Sequence, residues 1–107
     1  MGGMWEFPGG KQEKDEIIQL TIIRELKEEL SIDVEVISPK LIEFDHAYSH
    51  KKFRFIVHIC KLVSGVPQPL ASQQLRWVMP NELDFYPFPA ANTRIISALR
   101  DYLTYGE

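Results

Sequence analysis

The chain reads as one α/β domain, and three features predict it. An early helical pattern repeats apolar residues every four positions, at Ile22, Leu26 and Leu30 with Ile23 beside them. Short runs rich in Val, Ile and Phe fill the middle, and a second amphipathic pattern runs from Ala90 to Leu103. At 107 residues the chain can bury one core but not two, so residues 1–107 are taken as a single domain. Apolar content of 45% and charged content of 25% are ordinary for a soluble globular protein. A net charge of −3 argues against an extended nucleic-acid surface. The single cysteine, Cys60, excludes an internal disulfide and fits a reducing compartment. No apolar run matches a membrane span and no signal peptide is visible, which predicts a cytoplasmic protein without membrane contact. Met1-Gly2 opens like an N-myristoylation signal, but Glu6 stands where Ser or Thr is required.

In order along the chain, Trp5-Glu6-Phe7 is a short extended piece and Pro8-Gly9-Gly10 a tight turn that lets backbone approach a ligand. The first helix is expected over Asp15–Leu30, with Asp15 as N-cap. Two β-like runs follow, Val34–Ile37 and Leu41–Phe44, separated by Ser38-Pro39-Lys40, where the proline forbids one unbroken central strand. Asp45–Lys51 is polar and reads as a loop. Its His46 and His50 have zinc-like spacing but no further ligand nearby, so a plain loop is favoured. Lys52–Val63 is the clearest strand, apolar on both faces and so expected to be covered on both sides. That makes His58 an interior histidine and Cys60 a small buried hydrophobe. Ser64–Leu75 is a loop, Trp77-Val78 a short strand, and Asn81–Leu83 a helical turn. Phe85–Pro89 is a rigid aromatic loop before the last helix, whose buried side carries Ile95, Leu99 and Tyr102.

The first helix carries an unusual charge pattern. Glu25, Glu28 and Glu29 stand at i, i+3 and i+4 and share one face. Glu25 and Glu29 are a like-charge pair, and Arg24 and Glu28 pair in the weaker order. A helix serving stability alone gains little from this arrangement. A hard divalent cation, which takes oxygen ligands, would explain it; a solvated charged face is the plainer alternative.

The neighbouring residues bear on that choice. Gly10, Glu16, Arg24-Glu25-Leu26, Glu28-Glu29 and Ser31-Ile32 fall at the intervals of the Nudix box, here residues 10–32, which this stretch closely resembles. Every literal position matches except Ser31, which replaces a glycine. That glycine suits a left-handed helix end, so serine costs about 1 kcal/mol there if the geometry is kept. Trp5-Glu6-Phe7-Pro8-Gly9-Gly10-Lys11 is also similar to the segment before the box in the MutT-like branch of this family.

The resemblance implies a Nudix α/β/α sandwich around a mixed sheet. It implies Mg2+, with Mn2+ as alternative, held by Glu25, Glu28, Glu29, the Gly9 carbonyl and, more peripherally, Glu16. Glu25 or Glu28 would take a proton from water, with Arg24 orienting Glu28. Lys11 would face the phosphates, and Glu6, Phe7, Pro8, Gly9, Phe88 and Asn92 would complete the substrate site. Asn92, in the MutT-like Phe88-Pro89-Ala90-Ala91-Asn92, can donate to and accept from an oxidised guanine; a helix cap is its bland role. Gln73 and Gln74 stand where many relatives place a further Glu, which leaves the base role to the helix glutamates.

The implied activity is hydrolysis of 8-oxo-dGTP to 8-oxo-dGMP and pyrophosphate, with another triphosphate such as CTP as alternative. A further alternative is a non-catalytic 8-oxoguanine-recognition module like the C-terminal domain of MutY, whose opening resembles Gly2–Gly9. Only residues 1–9 precede the box, where the family has a few tens. The expectation is therefore an incomplete sheet or self-association through the missing strand position.

Overall fold

The computed structural model describes residues 3–106, arranged in two compact units. Met1 and Gly2, with the sequence readings made on them, lie outside the described residues. One unit comprises Pro8–Ser38 and Ile59–Trp77. The other comprises the segment ending at Phe7, Pro39–His58, and the chain from Val78 onward.

In the first unit, α1 spans Ile18–Leu30, β1 spans Asp33–Val36 and β4 spans Cys60–Ser64. β1 and β4 pair antiparallel. α1 buries Thr21 and Leu26, while Ile22, Ile23 and Leu30 are half-buried, so the anticipated stripe has one fully buried member. The helix starts three residues later than the sequence predicts. Asp15 is not its cap: it adopts φ 64 in a left-handed turn, and Ile17 occupies the N-cap without a side-chain hydrogen bond. The cause is Glu16, whose backbone N–H donates to Glu13 O at 3.1 Å and whose carboxylate accepts the Glu13 N–H at 3.0 Å. That turn closes the chain ahead of the helix. At the other end, Ser31 takes the expected left-handed conformation, φ 60 and ψ 37, and its N–H donates to Lys27 O.

In the second unit, β2 spans Ile42–Tyr48, β3 spans Lys51–Val57, a 3-10 helix spans Pro80–Phe85, and α2 spans Asn92–Tyr105. β2 and β3 form an antiparallel hairpin closed at Ser49-His50, with Ser49 at φ 53. Asp45–Tyr48 is therefore strand rather than loop. Its polar residues find partners across the ladder, Asp45 beside Arg54 at 3.0 Å and His46 opposite Phe53, and such cross-strand pairs stabilise a sheet whatever the local composition. The core is Phe44, Ala91 and Ile95, with Phe7, Ile42, Phe55 and Val57 packed on it. Phe44 stacks on Phe55 at 5.1 Å, and the Arg94 guanidinium lies 4.4 Å above the Phe44 ring.

The long apolar run of Lys52–Val63 is not one strand. It breaks at His58-Ile59, and β3 and β4 take different partners, β2 and β1, which Pro39 and its neighbours separate. Nor is it covered on both sides: Val63 is 62% exposed. His58 and Cys60 are accordingly half-buried, not interior; the partial burial still pushes the Cys60 thiol pKa up. Trp77-Val78 forms no strand, and Trp77 is 73% exposed. The α/β class stands, with all described strand pairing antiparallel in two two-stranded sheets.

Candidate active site

Arg24 organises the charged half of the first unit. Its Nε and Nη2 donate to the two oxygens of Glu16 at 2.7 and 2.9 Å, a two-pronged guanidinium–carboxylate pair. Nη1 reaches Glu25 Oε2 at 2.8 Å and Glu28 Oε1 at 3.2 Å, and Nη2 also donates to Lys11 O at 3.0 Å. One guanidinium thus gathers three carboxylates from one helix face and the turn before it. Its planar array of donors makes this geometry available, and a lysine could not reproduce it.

Glu16 is the most fully bound of these acids. The Arg24 hydrogen bonds, then the Glu13 N–H, then the Thr21 hydroxyl at 2.8 Å lower its pKa to about 2. The same pairing, with Glu16 foremost, raises the Arg24 pKa further above its already high ordinary value. The sequence paired Arg24 with Glu28; in the folded chain Glu16 is its principal partner. Thr21, which the sequence reading placed in no role, supports Glu16 from inside the helix. No local signal marks it, since the contact spans five residues and depends on where α1 begins.

The glycine turn closes over the same acids. Gly9 N–H donates to Glu29 Oε1 at 3.2 Å. Gly10 lies so near Glu25 that a Cβ built there would fall 2.0 Å from the carboxyl carbon, so any larger residue would push the Glu25 carboxylate out of its place. Glu25 and Glu29 are thereby held against the turn from Pro8 to Lys11, while Glu28 is more open, its side chain 56% exposed.

Among the described residues, no three His, Cys, Asp or Glu side chains converge as a formed metal cage. The cationic place in the cluster belongs to Arg24. The donor set nevertheless suits a hard divalent ion, since the Glu25, Glu28 and Glu29 carboxylates and the Gly9 carbonyl are all oxygen donors.

The residues expected to hold a base fall in the other unit. Phe7 stacks on Phe88 at 5.3 Å, with the ring planes 14° apart. Trp5 N–H donates to Pro87 O at 2.8 Å, and its ring meets Tyr86 edge-on at 5.5 Å, fixing the segment that carries Glu6 and Phe7. Asn92 opens α2 at 7% exposure, its N–H donating to Pro89 O. It is not the N-cap, a position Ala91 holds without a side-chain hydrogen bond. The bland role foreseen for Asn92 is thus not the one it takes.

A family model described as the NUDIX domain matches residues 1–98. The 8-oxo-dGTP diphosphatase of Buchnera aphidicola subsp. Acyrthosiphon pisum (strain APS) is 34% identical over 98 residues, covering 91% of this chain and 77% of the relative. The CTP pyrophosphohydrolase of Escherichia coli (strain K12) is 32% identical over 106 residues, covering 90% and 70% respectively. The solution structure of the E. coli ORF135 protein superposes with a TM-score of 0.78 at 30% identity, covering 94% of this chain and 71% of that one.

Proposed function

The chain belongs to the NUDIX domain family and is a MutT-like Nudix hydrolase, and from that premise we propose that it hydrolyses 8-oxo-dGTP to 8-oxo-dGMP and pyrophosphate. The observation that carries the reading is the gathering of Glu16, Glu25 and Glu28 on Arg24, with Glu29 on the Gly9 backbone.

In this reading Glu25, Glu28, Glu29 and the Gly9 carbonyl hold Mg2+, or Mn2+ in its place, with Glu16 at the margin. The ion supplies charge neutralisation along the polyphosphate. Glu28, the more open acid, accepts the proton of the attacking water, with Glu25 the alternative base. Arg24, anchored by Glu16, holds Glu28 in place through its Nη1 hydrogen bond. Lys11 adds positive charge toward the phosphates. Phe7 and Phe88 provide apolar ring surface, Glu6 and Pro8, the chain neighbours of Phe7, complete the proposed substrate residues, and the Asn92 amide reads the oxidised guanine by donating and accepting.

Support for a second substrate class comes from the CTP pyrophosphohydrolase relative, nearly as similar as the 8-oxo-dGTP diphosphatase. A turnover screen of 8-oxo-dGTP, dGTP and CTP with and without Mg2+ separates the two. Preference for the oxidised purine, lowered about tenfold in Asn92→Ala but unchanged toward CTP, supports the first; an equal loss on all bases overturns it. Loss of Mg2+-dependent pyrophosphate release in Glu28→Gln, by about 10²–10⁴-fold, tests the acid cluster itself.

Among the described residues no helix is long and apolar enough to cross a membrane, and the small-nucleotide chemistry is of a kind suited to the cytoplasm. Among the described residues each sheet has two strands, and pairing of one copy with another through a sheet edge is the oligomeric state we propose. A sedimentation mass equal to one chain at tens of micromolar would sink that proposal.

A further inference from the structure

Glu28 and Glu29 ride on the last turn of α1, the part of a helix whose carbonyls lack intrahelical partners and which frays most readily. Here that turn is tied down from outside the helix. After β4 the chain turns at Gly65, φ +97, where a Cβ would come within 2.8 Å of Ser31 O and 3.1 Å of Ile32 Cα. It then runs Val66-Pro67-Gln68-Pro69-Leu70. Gln68 N–H donates to Leu30 O at 2.9 Å, and Leu70 N–H is shared between Glu29 O at 3.1 Å and Gln68 O at 2.9 Å. Pro67 and Pro69 have no N–H to offer and restrict the backbone. The two donors therefore alternate with two rigid residues, and both meet orphan carbonyls of the helix end. The side chains contribute little, Leu70 being 58% exposed.

We propose that Pro67–Leu70 is a strap that positions the last turn of α1, and with it Glu28 and Glu29, for the cation. Gln68 and Leu70 are positioning residues that act through backbone N–H groups. The assignment rests on the reading of Glu28 and Glu29 as cation ligands. It also explains how the chain keeps an ordered helix end with serine, not glycine, in the left-handed position at 31.

The test is Mn2+ binding to the nucleotide-free protein, followed by electron paramagnetic resonance. Leu70→Pro removes one donor and should weaken Mn2+ binding about tenfold. Leu70→Ala keeps the N–H and should stay within about twofold of the unmodified protein. A folded Leu70→Pro with unchanged affinity, or an equal loss in Leu70→Ala, overturns the strap. If Leu70→Pro does not fold, Gln68→Pro removes the other donor and is read in the same way. Amide exchange of the unmodified protein decides independently: Gln68 and Leu70 should be protected, and exchange at free-peptide rates overturns the strap. Glu28→Gln separates the two readings. Unchanged Mn2+ binding there removes the cation site and the strap together, whereas loss there alongside unchanged binding in Leu70→Pro removes only the strap.

Discussion

The region around Arg24 and the region around Phe44 are built on different principles. Around Arg24, hydrogen bonds and ion pairs link residues mostly within one turn and one helix, from Lys11 to Glu28. Around Phe44, apolar contacts join Phe7, a hairpin and α2, segments that lie tens of residues apart. The first region concentrates charge that stabilises only modestly, because the cost of taking the partly covered Arg24, Glu16 and Glu25 groups out of water offsets most of their attraction. The second removes aromatic and aliphatic surface from water, where most folding free energy arises. Stability and chemistry therefore reside in different residues, and substitutions should separate them.

The largest effect is expected at the apolar end. Phe44→Ala deletes a ring 6% exposed and stacked on Phe55, and should cost about 3–5 kcal/mol in urea unfolding; a cost near zero would erase the contrast between the regions. Arg24→Lys keeps one charge but loses the two-pronged pairing with Glu16, so kcat should fall about 10–100-fold with the urea midpoint little changed. A midpoint shift as large as that of Phe44→Ala would mean that the charged hub is structural.

Acid should act on the charged region first. The folded pKa of Glu16, about 2, lies below its ordinary 4.5. Its pairing with Arg24 therefore stabilises fully above about pH 4.5 and is lost as pH falls toward 2. Unfolding of the unmodified protein should grow easier across that window, and Glu16→Gln should flatten the slope; an identical slope in the variant would assign acid sensitivity elsewhere. The smallest effect is at Ser31. Ser31→Gly removes a side chain from φ 60 and should raise stability by about 1 kcal/mol, read as a higher thermal midpoint without loss of turnover.

What the sequence determined was whatever depends on short spacing. The Gly10–Ile32 pattern located the charged face, the family and the left-handed end at Ser31, because side chains three or four apart on a helix meet whatever surrounds them. The tertiary structure decided what depends on distant partners. Asp45–Tyr48 became strand because β3 lies beside it, and Lys52–Val63 split because its halves pair with different strands. Val63 stayed exposed although its run of apolar neighbours reads as covered. Arg24 keeps the Glu28 partner its spacing predicts and gains Glu16 as a stronger one, because the turn at Asp15 delivers both Glu16 oxygens to the guanidinium, and the strap at Gln68 and Leu70 meets the helix end from about forty residues away in chemistry that no local pattern encodes. Periodicity fixes the face a residue shows; only the assembled chain fixes what that face meets.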